Sequence, residues 1–350
     1  MDEKIFIVSD IEMGRGDITD DFSDDDAVVD FLDNIQSSNP GDKLTLVLNG
    51  DIFDFLKMAY KGDYTRYITE EISLWKLEEV FMAHPKIFAA LKKFLQAPNH
   101  IVHFVIGNHD ADLAWPALQK RLQKELGGTI TFDYSYSNAD IHAEHGHLQD
   151  PFFIHDTKNP FIEYRGQKIL NLPWGSHAVS SHLVKLKHTF PEEERQVPKP
   201  LVLKKNKKFG RESKRVVRDL ALKSIILNPI LRFWDPTRRV PYGKFIKHTM
   251  KYGFEYVDDE MFVNDRADEV LQAHPDKKII VLGHAHVLTD TERQHRKIFV
   301  TDTWRNEVDI RSNRQKQKSF VEICYRDGEL MTARMKTLDG RQIDNRTEIK

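Results

Sequence analysis

The sequence predicts an α/β protein, and three observations carry that reading. Strand-like apolar runs alternate with helix-period segments through the first 150 residues. Several runs stop on a short polar turn: Phe6-Ile7-Val8 on Ser9-Asp10-Ile11-Glu12, Leu46-Val47-Leu48 on Asn49-Gly50-Asp51-Ile52-Phe53-Asp54, and Phe104-Val105-Ile106 on Gly107-Asn108-His109-Asp110. Ile141-His142-Ala143-Glu144-His145-Gly146 and Ile280-Val281-Leu282-Gly283-His284-Ala285-His286 repeat the design. Each reads as a buried strand that delivers ligand-type side chains at its carboxyl end. Sites in open α/β sheets lie at that end, so five deliveries point to one polynuclear metal site.

Taken in order, the acidic segment Asp17 to Asp33 leads into a helix starting near Asp24, with Val28, Leu32 and Ile35 on one face. Its aspartates suit a solvated helix amino terminus better than a cation site. Ile87, Phe88, Leu91, Phe94 and Leu95 mark a helix closed at Pro98, and a strand runs from Ile101 to Ile106. Trp115, Leu118, Leu122 and Leu126 mark another helix, stopped by Gly127-Gly128. Strands resume at Lys278 to Gly283, Ile298 to Thr301, Ser319 to Tyr325 and Leu330 to Met335, before a polar tail over 337–350.

Between residues 155 and 261 the composition shifts to proline-punctuated helical pieces, read as a helical, basic insertion in a core of residues 1–154 and 262–336. Lys204, Lys205, Lys207, Lys208, Arg211, Lys214, Arg215 and Arg218 are opposed only by Glu212, and Ile225 to Trp234 follow as an apolar stretch. Together, 204–234 suit peripheral contact with a membrane or an anionic lipid-like substrate; a solvated helix leading into a core helix is the other reading.

The chain has 350 residues, 40% hydrophobic and 30% charged, which excludes wholesale disorder. A formal charge of -2 gives no global argument for nucleic acid, so that partner is less favoured. The single cysteine, Cys324, excludes an internal disulfide and is expected as a small buried strand residue. No signal peptide or membrane span is visible, so a cytoplasmic location is expected, with peripheral attachment at the inner face of a membrane as an extension.

Carboxylate oxygens, an amide oxygen and neutral imidazoles suit Mn, Fe, Zn or Mg, and such mixed sets recur in two-metal hydrolytic sites. In its ordered motifs the chain resembles the calcineurin-like metallophosphoesterase superfamily over residues 4–147 and 279–304. The resemblance implies a four-layer α/β sandwich, two mixed β-sheets flanked by helices, here with a helical cap from the insertion. It implies two divalent metal ions, manganese foremost and iron, zinc or magnesium as alternatives. Asp10 and His286 resemble ligands of the first metal, Asp51 a bridge, and Asn108, His145 and His284 ligands of the second. His145 matches the family's His-Gly pattern, whereas His142 and His147 do not. His109 resembles the residue that protonates the leaving oxygen or binds phosphate, and Asp54 the carboxylate that orients it.

The family usually has histidine where this chain has Glu12, so ligation by Glu12 would make the first site harder and more anionic. A weaker similarity, through the insertion and Glu144 to Phe152, is to the UDP-2,3-diacylglucosamine pyrophosphatase-like branch, which usually carries arginine at the position of His109. Thr301-Asp302-Thr303-Trp304 partly matches an Asn-x-Gly-x-Trp turn of the family. The expected function is hydrolysis of a phosphomonoester, phosphodiester or pyrophosphate bond by metal-activated water, on a nucleotide- or lipid-linked substrate. A nuclease or nucleotide phosphodiesterase, and a catalytically silent scaffold, are the alternatives.

Overall fold

The computed structural model describes residues 2–243, 259–338 and 342. The polar tail beyond 338, save residue 342, and the 244–258 part of the insertion lie outside the described residues.

Four consecutive parallel strands, β1 (Glu3–Val8), β2 (Lys43–Asn49), β3 (His100–Val105) and β4 (Thr129–Asp133), form most of the first sheet. β5 (Ser135–Ser137) and β6 (Ile141–Glu144) begin the second. A hairpin, β7 (Phe161–Tyr164) and β8 (Gln167–Leu170), follows, and then the short β9 (Gln196–Val197). β10 (Ile279–Leu282), β11 (Thr289–Arg293) and β12 (Arg296–Val300) complete the second sheet. The short β13 (Val308–Asp309) and β14 (Arg314–Gln315) pair with β9, and β15 (Ser319–Arg326) and β16 (Glu329–Thr337) close the first sheet. The sheet orders are β16-β15-β1-β2-β3-β4 and β11-β12-β10-β6-β5, and both sheets are mixed.

Strand alternation sorts the apolar side chains into layers. Ile5, Ile7, Val47, Val105, Ile141, Ala143, Ile279, Val281 and Phe299 pack together between the sheets. Their neighbours Phe6, Val8, Leu46, Leu48, Val102 and Phe104 face α1 (Asp25–Ser37), α2 (Glu70–Ala83), α3 (Pro85–Phe94) and α4 (Pro116–Leu126). On the far side, Ile280, Leu282, Ile298 and Val300 pack under Ala267, Val270 and Leu271 of the Asp259–Ala273 helix. The result is a four-layer α/β sandwich, and burial on both faces is why its central strands read as unbroken apolar runs.

The helix signals act as their chemistry predicts. Asp25 and Asp26 occupy the first turn of α1, and Val28, Leu32 and Ile35 are buried with Phe31. α4 starts with Pro116 at its first position and ends on Gly127 at φ +68°. Cys324 is half-buried rather than buried, because alternation along β15 turns it away from Val321, Ile323 and Tyr325 in the inter-sheet core.

The segment after residue 155 is not helical throughout, because it opens with the β7–β8 hairpin. Arg165 at φ +52° and Gly166 at φ +76° make its two-residue turn, which matches the twist of the strands. Helices follow at Val184–Thr189, Lys199–Lys205 and Lys207–Leu222, where Leu186, Phe190, Val202 and Phe209 form a small core of their own.

Candidate metal centre

Every sequence-predicted site residue follows a strand: Asp10 and Glu12 follow β1, Asp51 and Asp54 β2, Asn108 and His109 β3, His145 β6, and His284 and His286 β10. The loops after β1 and β2 are tied together by Asp10 N–H to Gly50 O (3.0 Å) and Glu12 N–H to Asp51 O (2.9 Å). Trp304 N–H donates to Asp10 O at 2.9 Å and its indole N–H to Ser319 O, so the Thr301–Trp304 turn braces the same loop.

The backbone here is unusual. Asp10, Glu12, Asp51, His284 and His286 have φ of 55°, 54°, 51°, 69° and 55°, the left-handed region that ordinary residues avoid. Such strain persists where the surrounding structure holds it and collects at functional sites. Close approach requires two glycines: a Cβ on Gly107 would lie 2.2 Å from Asp51 Oδ1, and one on Gly50 would lie 2.5 Å from the ring of His145.

The side chains gather into two adjoining groups. Asp51, His145 and His284 present ligand atoms within 4.8 Å of one another, and so do Asp10, Glu12 and His286. Asn108 Oδ1 is buried with no hydrogen-bond partner among the described residues, and so is His145 Nε2, although Asp51 Oδ2 lies 3.0 Å from it. Buried polar atoms left in this way fit coordination of a divalent ion. Burial opposes charge on His145, but Asp51 and Asp10 overcome it and raise the imidazole to about 9, as expected where converging carboxylates call for positive charge. His284 is the opposite case: burial and Arg266 push it down to about 4, so it is a neutral imidazole available to a metal. Its Nε2 lies 3.2 Å from Asp150 Oδ2, which also accepts from Arg266 at 2.8 Å, so Asp150 orients the ring.

His109 stands beside the two groups. Its Nδ1 lies 2.8 Å from Asp54 Oδ1, and its backbone N–H donates to Asp51 Oδ1 at 2.7 Å. His142 lies apart with Glu144 and His274, and His147 is buried beside His145, its rings 5.5 Å apart.

Glu12 meets more than the sequence suggested. Lys57 Nζ and Arg305 each reach its carboxylate at 3.3 Å, and His286 Nε2 lies 3.4 Å away. Burial works against the anion, but Arg305 and Lys57 hold it well below the usual carboxylate range. The same two cations bind the buried Asp21 at 3.0 and 2.9 Å, and Lys187 and Arg195 join it from the insertion. A charge count from Asp10, Glu12 and Asp51 alone therefore misjudges this end of the site.

Sequence reading missed Lys57, Arg305, Asp21 and Asp150. None lies in a ligand-type turn, and the local signals are only the acidic segment around Asp21 and the Glu144 to Phe152 run that contains Asp150. Asp110 was visible beside His109 but its work was not. It accepts from Ile52 and Gly107 N–H at 2.8 and 2.6 Å, and burial with Asp51 nearby pushes it up to about 7.

Glu12, Asp51, Asn108, His109, His284 and His286 line a cleft of about 770 Å³ together with Lys199, Arg266, Arg305, Arg311 and Lys316, and with Asp150, Asp302, Glu307 and Asp309, which pair with the last four. Burial and Arg305 bring Lys199 down to about 8. The carboxylate and imidazole floor suits divalent cations, and above it, in a wall of paired charges, Lys199 bonds backbone carbonyls of Glu193 and Glu194 and offers its charge to an anionic group.

No family model and no curated protein matches the chain. Among solved structures it is similar to a dimetal phosphatase from Danio rerio, at 13% identity and TM-score 0.38, covering 95% of this chain and 95% of that one. A putative 5'-nucleotidase from Staphylococcus aureus matches at 11% and 0.34, covering 97% and 54%. A protein described as a predicted phosphoesterase from Streptococcus pneumoniae TIGR4 matches at 9% and 0.33, covering 99% and 95%. Likenesses this slight assign neither fold nor activity, which rest on the chain's own geometry.

Proposed function

We propose that the chain is a two-metal phosphoric ester hydrolase. The observation that carries this reading is the convergence of strand-end residues into two adjoining ligand groups, with five of those residues on left-handed backbone. Asp10, Glu12 and His286 would hold one ion, Asn108, His145 and His284 the other, and Asp51 both. Manganese is the preferred metal because the donor set is rich in oxygen. Two such ions activate water and neutralise phosphoryl oxygens. His109, held as an imidazolium by Asp54, donates the proton that the leaving oxygen needs. Arg305, Lys199 and Arg266 face the cleft and draw in the anionic substrate.

A scaffold without activity fits poorly with a protonated His109 poised over the cleft. A nuclease remains the competing reading, supported by the exposed basic residues from Lys204 to Arg218. A further observation favours a lipid-linked substrate and peripheral contact at a membrane's inner face. Val217, Leu222, Ile225, Ile226, Leu227, Ile230, Phe233 and Trp234 are exposed large apolar residues, and Phe233 and Trp234 show 75% and 71% of their surface. They adjoin the basic face of the Lys207–Leu222 helix, a pairing that suits an anionic bilayer. No described helix is long and apolar enough to cross a membrane.

Metal analysis of the purified protein, paired with hydrolysis of an aryl phosphate and of its diester, tests the proposal. Metal-dependent turnover of either ester supports it; metal-free protein with no turnover under manganese sinks it. Binding to DNA that falls steeply with salt, without binding to vesicles, would favour the nuclease.

A further inference from the structure

Strand β6 has two faces, and the candidate metal centre accounts for neither of its polar side chains. Ile141 and Ala143 point into the core between the sheets. His142 and Glu144 therefore project from the other face, where the chain leaving the Asp259–Ala273 helix brings His274 over them. His274 N–H still donates to Val270 O at 3.0 Å, so the ring is carried on the end of the helix. The rings of His142 and His274 stack with centroids 3.6 Å apart at 20°. His142 Nε2 lies 2.9 Å from Glu144 Oε2. Glu144 is 7% exposed, and its second oxygen, Oε1, is buried with no hydrogen-bond partner among the described residues.

We propose that His142, Glu144 and His274 form a third metal site, separate from the hydrolytic centre, that takes zinc or a similar borderline divalent ion. One nitrogen or oxygen from each residue lies within 4.8 Å of the other two, and the half-buried His274 ring would turn out of its stack on His142 to bring the ion into its own plane. Two imidazoles and a carboxylate are a common zinc set, with a fourth position left for water. A plain histidine–glutamate pair explains Oε2 but leaves Oε1 buried without a partner among the described residues, which costs the fold its desolvation. An ion bound to the carboxylate removes that cost. His142 Nδ1 lies 3.4 Å from Ser137 Oγ, which leaves Nε2 as its metal-facing nitrogen. His274 is only half-buried and gives an ion a way in.

The site would pin the helix end to the strand that presents His145 one residue later, and Asn49 Nδ2 already donates to Glu144 O at 3.0 Å on that strand. The ion is thus a brace and takes no part in the reaction. It stands whether or not the hydrolytic reading holds.

The test is a count of zinc bound per chain in the full-length protein, wild type against His274→Ala and Glu144→Gln, after excess metal is removed. Each variant should lose about one ion per chain. His274→Ala should keep the wild-type rate on an aryl phosphate. Cobalt loading gives a second readout: visible absorption of four-coordinate cobalt present in Asp51→Asn and lost when His274→Ala is added to it. An unchanged count in His274→Ala together with unchanged cobalt absorption overturns the site. Failure of hydrolysis in the wild type would strike only the hydrolase proposal, because the count at His274 does not depend on turnover.

Discussion

Replacing Asp54 with asparagine isolates the proton-donor role of His109. Asp54 Oδ1 lies 2.8 Å from His109 Nδ1, and Oδ2 lies 2.9 Å from Lys57 Nζ. Burial by itself lowers the imidazole, yet Asp54, Asp51 and Glu12 together raise it from 6.5 to about 9, with Asp54 the foremost of the three. Removing an opposite charge at this range undoes about 1–3 pKa units. That is roughly 1.4–4 kcal/mol of preference for the imidazolium. Turnover that needs the protonated ring fails as pH rises through its pKa, so the basic limb of the pH–rate profile should move down by those ~1–3 units. The assay is hydrolysis of an aryl phosphate from pH 5 to 10 with manganese in excess, beside a metal count on both proteins. A basic limb that stays in place refutes the His109 assignment, and loss of metal from the variant would make Asp54 a ligand. Stability gives the same sign. A histidine raised in the folded state stabilises fully below its unfolded value near 6.5 and stops doing so as pH rises through about 9. Urea midpoints of the metal-free protein should therefore fall between those values in the wild type, and fall less in Asp54→Asn.

Asp51→Asn and His284→Ala should each abolish metal-dependent hydrolysis, read by the same assay with metal analysis, because each removes a proposed ligand. His109→Ala should keep its metals and slow turnover by roughly 10²- to 10⁴-fold. Glu12→His should cost about 1–3 kcal/mol in urea titration, since it takes one buried anion from Lys57 and Arg305, which keep Asp21, Asp54 and Glu307. A variant as stable as the wild type would show that the remaining carboxylates suffice for both cations. Lys214→Glu combined with Arg218→Glu should weaken binding to vesicles of anionic phospholipid and leave aryl phosphate turnover unchanged. These exposed positions make a cleaner test than deleting residues 204–218, which would remove Phe209 from the small core of the insertion.

The layers and the strand-end residues were legible because they follow from local rules. Apolar runs buried on both faces declare themselves as strands, and a polar turn after each fixes where Asp10, Asp51, Asn108, His145 and His284 must emerge. The β7–β8 hairpin was legible too, since Arg165-Gly166 between Phe161-Ile162-Glu163-Tyr164 and Gln167-Lys168-Ile169-Leu170 is a turn signal, but the surrounding prolines drew the reading toward helices. The ring of charge around Glu12 was not legible. Lys57 belongs to the β2 loop, Arg305 to the chain after β12, and Lys187 and Arg195 to the insertion, and only tertiary packing brings them onto Asp21 and Glu12. The same limit hid Asp150, which depends on Arg266 and His284 more than a hundred residues away.

The left-handed residues at the cleft set heat resistance against turnover. Each non-glycine residue held at such an angle costs the fold about 1–3 kcal/mol, and here there are five, at positions 10, 12, 51, 284 and 286. Glycine adopts the same angles without that cost. A library of variants screened only for survival after heating should therefore enrich glycine at those positions other than 12, whose carboxylate holds Lys57 and Arg305, and the survivors would be robust proteins with little left to bind an ion. Screening for heat resistance and turnover together should leave the five positions untouched and place its gains elsewhere, for instance on the outer surfaces of α1 and α3.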